Sequence, residues 1–165
     1  MARIWTPESD APKPGEPASV KELRAWFERL PKMRELIRQQ QERISSLKNA
    51  ATSTTSGTSG APGRSGTSDK VGRNCDAAID AEQRLNELKC QYAEMQKSAI
   101  DVAYLLHADA ASIKRSRCLI LYFVEGKRQA EIARIVGYSK PCQVSQAVSD
   151  GLEQLAEITT ELNLG

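Results

Sequence analysis

Seven cations crowd into one stretch of this 165-residue chain: Lys114, Arg115, Arg117, Lys127, Arg128, Arg134 and Lys140, opposed there only by Glu125 and Glu131. The chain as a whole carries 23 Lys and Arg against 21 Asp and Glu, a net of +2. Charge is therefore segregated by region, with −3 from Asn74 to His107 and −4 from Pro141 to Gly165. A cationic stretch between acidic ones suits a polyanion, because phosphate contacts supply most nonspecific nucleic-acid affinity and require no sequence information. Lys127, Arg128 and Lys140 are the first candidates for such contacts, with Arg115 and Arg117 behind them. The residues just beyond could read bases. Gln bonds adenine through both ends of its amide, and Ser reaches several bases. Gln146 is the first candidate, accompanied by Ser145, Gln143 and Ser149.

Other chemistry finds little support. Cys75, Cys90, Cys118 and Cys142 lie too far apart for a zinc knuckle or redox motif, and His107 is the only histidine. These thiols read as small core residues of a reducing compartment, so no metal and no cofactor is expected. No Ser, Cys or acid stands at a catalytic spacing from His107, and the carboxylates alternate with Lys and Arg as on solvated helix faces, so an enzyme is not expected. No apolar run is long enough to span a bilayer. The segment Met1–Pro17, with Pro7, Pro12, Pro14 and Pro17, lacks a signal-peptide core. A soluble, cytoplasmic protein without a membrane partner is the expectation.

The elements that would position these residues read as all-α. A helix is expected from Ile113 to Glu125, with Ser112 as N-cap and Gly126 as its stop. The apolar run Cys118–Val124 also suits a buried strand, but no second strand-like run exists to pair with it. A second helix, Lys127–Val136, carries Ile132, Ala133 and Val136 on one face. Gly137 then supplies a left-handed turn and Tyr138 an anchor. Ser139 caps a third helix with Pro141 in its first turn. That helix buries Val144, Ala147, Val148, Gly151, Leu152, Leu155 and Ile158 within one arc and turns Cys142, Ser145, Gln146 and Ser149 outward, with Gln143 at the flank. This is the helix-turn-helix plan. Past Ser149 the outward residues are Asp150, Glu153 and Glu157, so only the first two turns suit a DNA groove.

Upstream, the apolar residues follow heptads. Leu23, Leu30, Ile37, Ile44 and Ala51 lie seven apart, partnered at +3 by Trp26, Met33, Gln40 and Leu47; Gln40 alone breaks the pattern. Ala78, Leu85, Tyr92, Ala99 and Leu106 repeat it, with Ala81, Leu88, Met95 and Val102. Such seams indicate coiled-coil helices, each about 45–55 Å long at 1.5 Å per residue. Between Ala50 and Ser68 every residue but Arg64 is Ala, Thr, Ser, Gly or Pro, which cannot bury enough apolar area to offset its ordering entropy. The expectation is a long antiparallel helical hairpin over 19–107 with a flexible loop at 50–68, after a disordered Pro-rich tail at 1–18 and before the trihelical unit at 108–165. A parallel dimer through the same seams stays open. So does the effect of Pro31, which either kinks one helix or divides it into about Val20–Leu30 and Lys32–Asn49.

Arg117-CLILYFVEG-Lys127 followed by Glu131-IARIVGYS-Ser139 resembles region 4 of bacterial sigma factors. The order of hairpin, Ala-Thr-Ser stretch, Asp69-Lys-Val-Gly72 restart and C-terminal motif is similar to small phage and prophage transcriptional regulators of the RinA and ArpU type. Two features depart from that pattern: Val144 lies five rather than four residues after Ser139, and the third helix lacks the usual Lys and Arg. The resemblance implies a sequence-specific transcription regulator that binds double-stranded DNA and acts with RNA polymerase. The heptads add a helical partner, a second copy of the chain among the options. The Val136-Gly-Tyr-Ser139 phrase also resembles terminase small subunits of phage packaging, and the acidic third helix leaves a coiled-coil adaptor without DNA binding as a further alternative.

Overall fold

The computed structural model describes residues 19–53 and 67–161. Six α-helices account for nearly all of them: α1 Val20–Phe27, α2 Arg29–Ser53, α3 Thr67–Ala103, α4 Ala110–Leu119, α5 Gln129–Val136 and α6 Cys142–Glu161. The described residues contain no strand. The chain is all-α. The Pro-rich tail and residues 54–66 of the proposed loop lie outside the described residues, while Ala50–Ser53 and Thr67–Ser68, read from sequence as loop, are helical.

The described residues divide into two compact units, one within Met33–Cys90 and the other from the described segments on either side of it. Within Met33–Cys90, α2 and α3 pack through Ile37, Ile44 and Leu47 against Ala81 and Leu85. Lys48 pairs with Glu82 at 2.5 Å across them. On α2, Arg38 bonds Glu35 and Glu42 at the i+3 and i+4 spacings that place side chains together on a helix. Hydrogen bonds from Arg38 and Gln39 hold the Glu35 carboxyl down to about 2.

The other unit begins with α1. Ser19 and Glu22 close a capping box, each side chain accepting from the other's backbone N–H (3.2 and 3.1 Å). Eight residues are too few for a self-sustaining helix. Burial of Leu23, Trp26 and Phe27 holds it, at roughly 2 kcal/mol per side chain. Pro31 does divide the N-terminal helix, but the break falls at Glu28. Proline lacks an N–H and its ring crowds the carbonyl four residues back, which is Phe27. With α2 starting at Arg29, Pro31 stands in a first turn, where the missing N–H has no carbonyl to meet.

Helix α4 starts earlier than the sequence suggested. Asp109, not Ser112, is the N-cap, its carboxylate accepting from Ser112 N–H at 2.6 Å, which lowers the Asp109 pKa. Ser112 is instead fully buried and accepts from Gln154 of α6 at 2.8 Å. After Leu119 the helix widens into one π-turn over Ile120–Val124, with Glu125 N–H donating to Ile120 O at 3.0 Å. That run is helical rather than extended. The slower winding is what lets Cys118, Leu119, Leu121, Phe123 and Val124 all be buried while Tyr122 is turned outward. Phe123 stacks on Phe27 with ring centroids 5.3 Å apart, joining α1 to the π-turn. Gly126 ends it at φ +67°.

Helix α6 is the centre of this unit, packed on α4, α1 and α5. Val144, Ala147, Val148, Gly151, Leu152 and Leu155 are buried as the pattern required, and Ile158 is half-buried. A Cβ on Gly151 would lie 3.2 Å from Leu119 Cδ1 and 3.5 Å from Leu106 Cδ1, so a methyl there would require Leu119 to give by a few tenths of an ångström and anything larger would overpack the contact.

Candidate nucleic-acid interface

Helix α5 begins at Gln129, two residues later than expected, which leaves Lys127 and Arg128 in the connection before it. Glu131 accepts from Arg128 N–H at 3.0 Å and fixes that entry. The helix closes on Gly137 at φ +87°, where Gly137 and Tyr138 N–H both donate to Ala133 O at 2.9 and 2.8 Å, a left-handed cap that a Cβ would strain. Tyr138 is half-buried against α4, with Lys114 Nζ 5.9 Å from its ring centroid. Burial raises both the Tyr138 hydroxyl and the Cys118 thiol, which also hydrogen-bond each other.

The start of α6 differs from expectation. Pro141 precedes the helix, and Ser139 does not cap it. The relation is reversed: Gln143 Oε1 accepts from Ser139 Oγ and from Lys140 N–H, both at 3.1 Å. An amide oxygen one turn ahead competes with the hydroxyl for the cap, and no spacing rule distinguishes the two. Gln143 thereby gives up the acceptor that adenine recognition needs.

The remaining candidates fall on two flanks of α6. Ser145 and Gln146 are exposed on its first two turns, and Gln146 Nε2 donates to Asp150 at 2.7 Å. Ser145 accepts from Gln129 Nε2 at 2.8 Å. Ser149 is half-buried and accepts from Arg24 Nη2 of α1 at 3.2 Å. Arg115 lies elsewhere: its Nη1 donates to Gln154 at 3.0 Å. Five residues separate Ser149 from Gln154, about 140° around the helix axis, so Arg115 belongs to the opposite flank. Arg117 is exposed on α4, and Lys127 rests 3.5 Å from Glu125. Arg128 and Lys140 are exposed at the two ends of the α5 segment.

Arg24, Gln129 and Tyr122 surround a small depression of about 80 Å³ with Ser145, Ser149, Val144 and Val148. None of these three was a candidate from sequence. Gln129 follows Arg128 directly and could have been included. Arg24 could not, because 125 positions separate it from Ser149. The thiols also depart from expectation: Cys118 is buried, but Cys75, Cys90 and Cys142 are exposed. Their positions fall outside the apolar faces, and residue type alone does not override that. His107 lies beyond α3, edge-on to Tyr104 at 4.9 Å.

Among the described residues no group of His, Cys, Asp and Glu could hold a metal ion, and no helix is long and apolar enough to cross a membrane. Comparison with protein-family models, curated proteins and solved structures finds no match to this chain. The site offers amide, hydroxyl and cationic donors around an exposed helix start, an arrangement that can hold an anion.

Proposed function

We propose that this chain is a sequence-specific DNA-binding transcription regulator, with α5, the Gly137 turn and α6 as its helix-turn-helix and the first two turns of α6 in the major groove. One observation supports it most: the outward face of α6 carries Ser145 and Gln146 with no carboxylate before Asp150, while Lys127, Arg128 and Lys140 stand exposed or half-exposed at the ends of α5. That is the division of labour DNA recognition needs, with cations for the backbone and amides for base edges. The paired α2 and α3 would form a helical hairpin for self-association or for RNA polymerase, the partner implied by the resemblance to RinA- and ArpU-type regulators. Gln146, whose amide nitrogen is bonded to Asp150 but whose oxygen is not part of that bond, remains the first base-reading candidate. Ser145 accepts from Gln129, both bonds to the Gln143 oxygen come from its own turn, and Arg115 is bonded to Gln154.

Binding of the full chain to fragments of its cognate genome, measured across salt concentration, tests this reading. Arg128→Ala should weaken binding to every sequence and lower the salt slope by about 0.9. Gln146→Ala should change sequence preference, each lost bidentate base contact costing ~1–3 kcal/mol. Affinity that is absent at low ionic strength refutes the reading, and a ring-shaped oligomer would favour the packaging alternative.

A further inference from the structure

Arg24 lies far from the C-terminal cationic stretch in sequence, yet α1 delivers its guanidinium to the middle of α6. Resting on the DNA-binding reading above, we infer that Arg24 is a phosphate ligand, seated with Ser145, Ser149 and Gln129 in a pocket for one backbone phosphate of the duplex.

The depression they line holds about 80 Å³, room enough for a phosphate group. Its polar lining is rich in donors and contains no carboxylate. Arg24 spends one Nη2 hydrogen on Ser149 Oγ, and Gln129 spends one amide hydrogen on Ser145 Oγ. Both serine oxygens are accepting, so their own hydroxyl hydrogens are free to turn toward an oxyanion. Arg24 keeps further N–H groups in a planar fork that matches phosphate oxygens. Val144 and Val148 supply its apolar lining.

Position agrees with this ligand. Ser149 follows Gln146 by three residues, about 60° around the helix axis toward α1. If Gln146 faces base edges, that flank faces the groove wall, where the sugar-phosphate backbone runs. Gln129, Ser145, Ser149 and Arg24 then form one group of donors beside α6, with Arg24 as the contribution of a helix that the C-terminal segment does not contain.

The test uses the full chain and duplexes of unrelated sequence across KCl concentration. Arg24→Gln should lower the slope of log K against log salt by about 0.9 and weaken all duplexes alike, roughly eight-fold at 0.1 M salt, while Arg24→Lys should retain the slope. Wild-type slope and affinity in an Arg24→Gln protein that melts normally overturn the assignment, as does a loss confined to one sequence. Should Arg24→Gln fail to fold, phenylglyoxal labelling of the wild-type chain decides: duplex DNA should protect Arg24, and equal labelling with and without DNA overturns it. Failure of the wild type to bind any duplex at low salt defeats the DNA-binding reading itself; bound wild type with an indifferent Arg24 defeats only this inference.

Discussion

At the scale of single residues, Asp150 limits the proposed surface. Its carboxylate occupies the Gln146 amide at 2.7 Å and puts a negative charge one turn past the residue proposed to read a base. Removing it frees Gln146 and relieves repulsion from phosphates, an effect of about 1 kcal/mol near a surface. Asp150→Ala is therefore expected to bind duplex DNA roughly five-fold more tightly in an anisotropy titration at low salt, with the difference fading as salt rises. Unchanged affinity would mean that Asp150 lies away from the duplex. Gln143 shows how much of a side chain's capacity the fold can consume: with Ser139 and Lys140 donating to its oxygen, only its NH₂ remains to offer.

Among the elements, the heptads were legible because burial follows period. Leu23, Leu30, Ile44, Ala78, Leu85, Ala99 and Leu106 are buried, as are the +3 residues Trp26, Ala81, Met95 and Val102. Met33, Ile37, Leu47, Leu88 and Tyr92 are only half-buried, as the discordant Gln40 is. The arc of α6 was legible for the same reason. Two features were not. The π-turn carries Phe123 onto Phe27, a contact across almost a hundred residues that local patterning does not record. The start of α6 depends on which of two side chains wins one cap. The candidates on α6, Ser149 among them, followed from residue type and spacing, whereas Arg24, 125 positions from that serine, came only from tertiary packing. The packing of α4 on α6 gives a direct test at Gly151. A methyl there would already stand 3.2 Å from Leu119, offsetting the gain in helix propensity, and the branched side chain of Gly151→Val should cost about 2 kcal/mol by overpacking. Chemical denaturation should show the midpoint falling with the slope unchanged.

At the scale of the molecule, the unit that carries the proposed interface is built from both ends of the described chain. Phe27 stacks on Phe123, Tyr92 donates to Val124 O at 3.4 Å, and Leu23, Met95, Ala99 and Leu106 are buried with them. A fragment of residues 108–165 holds α4, α5 and α6 but none of those partners, so it should show no cooperative thermal transition by circular dichroism where the full chain shows one. A fragment melting at the full-chain temperature would show the three helices to be self-sufficient. The same arrangement bears on synthesis. The rings of Trp26 and Phe27 leave the ribosome 115 positions ahead of the first residue of α6. At roughly 5–20 residues per second, they wait several seconds without their cover. A message truncated before that helix is translated releases a product with naked aromatics, which makes it a client for chaperones and proteases rather than a smaller working copy.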